Sequence, residues 1–164
     1  SMNRGDFLIM AGRYAAAVDQ LERTLELEPG LAPARFRLAH SQALAGRFEA
    51  AERELDGMVQ DGQQGTRLET AVLVCALAGN LTRARSALAE LVALAEGQYV
   101  SPWLLARACA AMGDADACFR WLGRCFDERT GSVIFLAVSP AFEPVRDDPR
   151  FRTCLSRLGL GRTG

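Results

Sequence analysis

The chain has 164 residues, 49% of them hydrophobic and 24% charged, with a formal net charge of −1. That length fits one domain and that balance excludes disorder. No apolar run reaches the ~18 residues that a transmembrane helix needs. All 19 basic residues are arginine, which excludes Schiff-base and P-loop chemistry, both of which need a lysine.

The charge drifts along the chain: residues 1–64 sum to −3, residues 65–128 to −1 and residues 129–164 to +3. A tail so mildly basic reads as a solvated surface, and no nucleic-acid partner is expected. The opening Ser1-Met2-Asn3-Arg4-Gly5-Asp6 lacks the layout of a signal peptide. Ser1-Met2 reads as a cloning remnant before a start or a domain cut. A cytoplasmic address and no membrane partner are expected. Arginine without lysine, with abundant Ala and Gly, suggests a GC-rich bacterial genome.

Four glycines organise the chain. Gly12, Gly46, Gly79 and Gly113 recur at intervals of 34, 33 and 34 residues. Such a period marks stacked helical hairpins. Each glycine sits where one helix must stop and turn into the next, in a left-handed position that only glycine takes without steric cost.

Five residues after each glycine stand Ala17, Ala51, Ala84 and Cys118; nine after stand Leu21, Leu55, Leu88 and Leu122. Twelve and thirteen after stand Thr24-Leu25, Met58-Val59, Leu91-Val92 and Cys125-Phe126. These offsets share one face of a 3.6-residue helix. Two after the glycines stand Tyr14, Phe48, Leu81 and Ala115. Eight and seven before them stand Arg4-Gly5, Leu38-Ala39, Ala71-Val72 and Leu105-Ala106, mostly an aliphatic and a small residue, as a tight helix–helix contact requires.

The first copy, Ala11-Gly12-Arg13-Tyr14-Ala15-Ala16-Ala17-Val18 through Leu25-Glu26-Leu27-Glu28-Pro29, resembles the tetratricopeptide repeat (TPR) family, closing proline included. Ala45-Gly46-Arg47-Phe48-Glu49-Ala50-Ala51-Glu52 repeats the pattern. Gly79-Asn80-Leu81 and Gly113-Asp114-Ala115 lose the aromatic. The fold class expected is all-α: a right-handed α-solenoid of about four TPR-like hairpins plus a C-terminal capping helix. Repeats are placed at about 1–31, 32–64, 65–98 and 99–128, with a cap and tail over 129–164. The opening helix of the first repeat would begin almost at Ser1, so the repeat is either trimmed or native in that form.

In the tail, Thr130-Gly131 breaks the last repeat and Ser132 to Val138 is apolar enough for a short packed helix. Ser139-Pro140 and Asp148-Pro149 each read as an N-cap before proline. A last helix from about Pro149 to Leu158 would align Phe151, Leu155 and Leu158, closing the exposed end of the stack. The run Ser139 to Phe151 resembles the ending of bacterial TPR domains attached to winged-helix regulators, nucleotide cyclases or protein kinases, with Ser139 where that ending usually has Asp.

Candidate chemistry is sparse. Five cysteines, Cys75, Cys109, Cys118, Cys125 and Cys154, form no C-x-x-C pair, and reduced thiols are expected. Cys118 and Cys125 share a helix face, with Cys109 a candidate neighbour. The one histidine, His40, belongs to a distant repeat, so small buried hydrophobes are expected rather than metal ligands. Asp114 and Asp116 suit a helix start. No catalytic residue, metal or cofactor is expected.

By the family resemblance, the first helix of each hairpin lines a concave surface, at six and ten residues before each glycine. This selects Phe36, His40, Glu69, Leu73, Trp103 and Arg107 as a peptide-binding groove, with i to i+4 pairs Phe36–His40, Glu69–Leu73 and Trp103–Arg107. His40 reads as a surface histidine. Trp103 either anchors a peptide or packs against Tyr99 or the neighbouring hairpin. The lysine–asparagine clamp that some TPR domains use for a C-terminal carboxylate is absent: its positions hold Met2, Asp6, Arg37, Thr66 and Thr70.

The expected function is a protein–protein interaction scaffold binding a peptide or partner helix, without catalysis. The alternatives are a regulatory or oligomerisation domain of a larger bacterial signalling or transcription-regulatory protein, self-associating through its cap, and a hydrolase using His40 or a cysteine.

Overall fold

The computed structural model describes residues 2–58 and 63–160. Ser1 and Val59 of the pattern above fall outside those residues, as does the Met2 side chain. The helices are α1 (Met2–Met10), α2 (Tyr14–Leu27), α3 (Ala32–Leu44), α4 (Phe48–Asp56), α5 (Gln64–Leu77), α6 (Leu81–Gly97), α7 (Pro102–Ala111), α8 (Ala115–Asp127) and α9 (Pro149–Arg157). Two 3-10 turns, Gly131–Phe135 and Pro140–Val145, lie between α8 and α9. No strand occurs among the described residues.

The four period-setting glycines take φ of 69°, 76°, 77° and 73°. At Gly46 the helix end shows how each works. Gly46 donates to the Ala43 carbonyl at 3.0 Å and Arg47 to the Gln42 carbonyl at 2.8 Å, so two otherwise orphaned carbonyls of α3 are satisfied in one turn. The chain then reverses directly into α4.

The first helices pack in a row, α1 on α3, α3 on α5 and α5 on α7, and the second helices wedge between consecutive first ones. That asymmetry gives the α-solenoid its inner and outer layers. It also explains composition. Inner α3 buries Ala34, Phe36, Leu38, Ala39, His40, Ser41, Gln42 and Ala43, on almost every side. Outer α4 buries only Ala51 and Leu55 on one stripe of an otherwise charged helix.

The small positions five after the glycines, Ala17, Ala51, Ala84 and Cys118, are all fully buried. At the opening contact, a Cβ built on Gly5 would stand 3.2 Å from Cδ2 of Leu21, so the close approach of α1 and α2 depends on this missing side chain. Leu21, Leu55 and Leu122 are buried, whereas Leu88 is half-buried because Ala87 and Leu91 carry that face of α6.

The tail departs from expectation in three places. The last repeat is closed by Arg129 (φ 53°), whose neighbour Thr130 donates to the Cys125 carbonyl at 2.8 Å. The turn therefore comes just before Thr130-Gly131. The apolar run Ser132 to Val138 forms a 3-10 helix and a further hydrogen-bonded turn in place of an α-helix. Ser139 precedes Pro140 as expected but makes no side-chain cap. Asp148 does cap α9, accepting from the Arg150 amide at 2.9 Å. In α9 Phe151 is buried, and Leu155 and the C-capping Leu158 pack partly buried on the same core.

Candidate interaction groove

One turn separates Phe36 from His40 on α3, Glu69 from Leu73 on α5 and Trp103 from Arg107 on α7. Helical periodicity therefore points each pair the same way. The row packing of these helices brings all six residues onto one concave cavity of about 640 Å³. Phe7 of α1 and Phe135, Ser139 and Pro140 of the tail complete its wall. Sequence reasoning missed these wall residues, because only the fold brings the irregular tail back beside the first hairpins.

The floor is more enclosed than a surface groove. His40 is 6% exposed, so its reading as a surface histidine is corrected: α3 is sandwiched between neighbouring hairpins and hides its face. Burial, reinforced by the Arg107 charge, lowers the imidazole pKa to about 3, and the ring is neutral at neutral pH. Glu69 is 3% exposed, and its Oε1 meets Nη1 of Arg107 at 3.1 Å. The two groups are misaligned for a hydrogen bond, and Glu69 Oε1 and Arg107 Nε have no hydrogen-bond partner among the described residues. Burial raises the Glu69 pKa and the Arg107 charge pulls it back down.

This cross-hairpin pair also went unread. Opposite charges ten residues before Gly79 and six before Gly113 were the available signal. Asp6 and Arg37, two of the clamp positions, pair with each other across the first two hairpins. Arg37 also donates to the Pro33 carbonyl at 2.9 Å. Thr70 turns its hydroxyl to the Thr66 carbonyl at 2.8 Å.

Trp103 lines the cavity and packs on a different neighbour from Tyr99. Its ring lies 5.2 Å from that of Phe142, which in turn lies 6.3 Å from Phe151. Tyr99 is instead 75% exposed, with its hydroxyl donating to Glu128 at 3.3 Å. Trp103 thus joins the floor of the groove to the core of the cap.

Cys109, Cys118 and Cys125 lie buried in that same core. Burial pushes their thiol pKa values up, to about 11 for Cys109 and about 12 for the other two, so they stay protonated. Among the described residues no group of three or more His, Cys, Asp and Glu side chains could hold a metal. No thiol or serine hydroxyl hydrogen-bonds His40 among them. Asp114 caps α8, accepting from the Ala117 amide at 3.0 Å, and Asp116 pairs with Arg150 at 2.7 Å.

Among the described residues no helix is long and apolar enough to cross a membrane. Residues 8–72 match a family model described as tetratricopeptide repeat. No curated protein and no solved structure matches the chain. The matched segment runs from within α1 into α5 and contains the first two glycine turns. Over residues 8–72, therefore, the chain is similar to the tetratricopeptide-repeat family.

Proposed function

We propose that this chain is a binding scaffold that holds a peptide segment or partner helix in its concave groove, with no catalytic step. Tetratricopeptide repeats are in general protein–protein interaction modules and typically non-catalytic. The observation that carries the reading is the convergence of all four first helices and the tail on one cavity of about 640 Å³. Its floor residues are already packed and ion-paired, so binding would order few side chains, and the entropic cost of association falls accordingly. Amide hydrogen exchange on the chain, with and without a captured partner, tests it. Protection is expected in α3, α5 and α7. Protection confined to α2, α4, α6 and α8 would place binding on the outer layer and end the groove reading.

A second reading, self-association of a regulatory domain from a larger signalling protein, is favoured by Ile134 and Val138 of the tail, 61% and 44% exposed. Light scattering that finds a strict monomer at high concentration removes it.

A further inference from the structure

Every charged side chain lining the groove, among the described residues, is already matched within the protein. Asp6 pairs with Arg37 and Glu69 with Arg107. A ligand charge entering this space would lose its water and find its counter-ion engaged. Opening the Glu69–Arg107 pair would leave a buried carboxyl without its counter-ion, and opening the Asp6–Arg37 pair would break a half-buried one. The neutral imidazole of His40 brings no charge to an anion.

The apolar surface points the other way. Phe7 on α1 is 70% exposed and Phe135 in the tail 40% exposed, and both line the same cavity above Phe36 and Leu73. Large rings left in water around a concavity mark a surface that something apolar covers. The cavity volume suits a short stretch of a few residues. Thr66 and Ser139 also line the cavity, and a hydroxyl both donates and accepts, which suits the N–H and C=O of a peptide unit better than a purely hydrocarbon ligand.

We propose that the groove takes an uncharged apolar stretch of a partner polypeptide, whose bulky aliphatic or aromatic side chains sit between Phe7, Phe36, Leu73 and Phe135. This rests on the groove reading above and narrows it. A charged tail, acidic or basic, is not the ligand.

A phage-displayed random decapeptide library selected on the full chain tests this. Enriched peptides should carry several Leu, Ile, Phe, Trp or Met side chains in a stretch free of Asp, Glu, Lys and Arg. Synthetic copies should lose affinity by about tenfold or more on Phe7→Asp or Phe135→Asp, and similarly when Asp or Lys is placed in the stretch. Both variants alter exposed side chains, and unchanged melting curves would show that the fold is kept. Enriched peptides that depend on their own charge, yet still lose binding on Phe7→Asp, would overturn the inference and leave the groove reading standing. Peptides indifferent to both variants, or no enrichment at all, would bring down the groove reading itself.

Discussion

The interior of the array and its C-terminal end close the same kind of helix pair with different side chains. Between the second and third hairpins the core is built from Ala39, Ala43, Ala51, Val74, Cys75 and Ala84, with Leu55 as its one large member. At the end it is built from Trp103, Leu122, Leu136, Phe142 and Phe151. At this contact small residues let backbones close and total burial comes from many modest contacts, whereas Leu68, Leu91 and Leu105 fill the core between the third and fourth hairpins. The end has a single hairpin surface and a tail of short turns with few regular backbone hydrogen bonds. It therefore needs large rings to bury enough apolar area. Stability should thus be concentrated in large rings at the cap and spread over smaller contacts between the second and third hairpins.

The sharpest way to break that contrast is Phe142→Ala. Phe142 is fully buried between Trp103 and Phe151. Its truncation should cost about 3–5 kcal/mol, against about 2–4 kcal/mol for Leu21→Ala at the equivalent depth of the first hairpin. Denaturant midpoints compare the two. If Phe142→Ala costs less than Leu21→Ala, the cap is not where stability is concentrated.

Within the array the Glu69–Arg107 pair is a concentrated contribution of a different kind. Arg107→Met leaves the Glu69 carboxyl buried without its counter-ion and should cost about 2–3 kcal/mol, less than a fully buried pair because Arg107 keeps some solvent contact. Adding Glu69→Leu removes the stranded acid, and the double variant should recover most of that loss. Equal destabilisation in the double variant would show that packing, not charge, was lost.

His40 provides a third contrast, read through pH. Its pKa falls from an ordinary 6.5 to about 3 on folding, so below pH 6.5 the unfolded chain binds a proton that the native one refuses. Stability is then lost as pH drops through that window, by about 1.4 kcal/mol per pH unit at full slope. Glu69 works in the opposite sense. Its raised pKa makes the native state the better proton binder above the ordinary carboxyl range, so its contribution declines as pH rises through that shifted window. His40→Gln should flatten the acid limb between pH 6 and 4 in melting curves of the two proteins, measured as about one proton fewer in slope. A parallel limb in the variant would mean that the native imidazole titrates normally.

How far residues alone reached follows from what each signal measures. The glycine turns and the small and aliphatic positions keyed to them were visible because backbone geometry and helix periodicity are local. The six groove residues were placed by register, and their depth was not. Exposure of Phe36 or His40 depends on how closely neighbouring hairpins approach, which the register does not contain. The Glu69–Arg107 contact spans two repeats, and Phe135 and Pro140 reach the groove only because an irregular tail folds back. The C-terminal turn was misplaced because it breaks the glycine rule on which the period had been read.

That broken rule gives the smallest and most discriminating comparison. Gly46 and Arg129 both hold a helix end at positive φ, 76° and 53°. Around Gly46 no atom lies within 4 Å of a built Cβ, so the cost of Gly46→Val is backbone strain alone, about 1–3 kcal/mol. Gly46→Asn should cost clearly less, because Asn tolerates this conformation. At Arg129 the strain is already present, and Arg129→Gly should raise stability by about 0.5–1 kcal/mol. The gain is reduced by loss of a cation beside the C-terminus of α8 and by the freer unfolded chain that glycine creates. High salt screens the first of these and not the second, so the gain should grow slightly with ionic strength. If Arg129→Gly instead destabilises at every salt concentration, the arginine side chain holds the last repeat through contacts that outweigh its strained backbone.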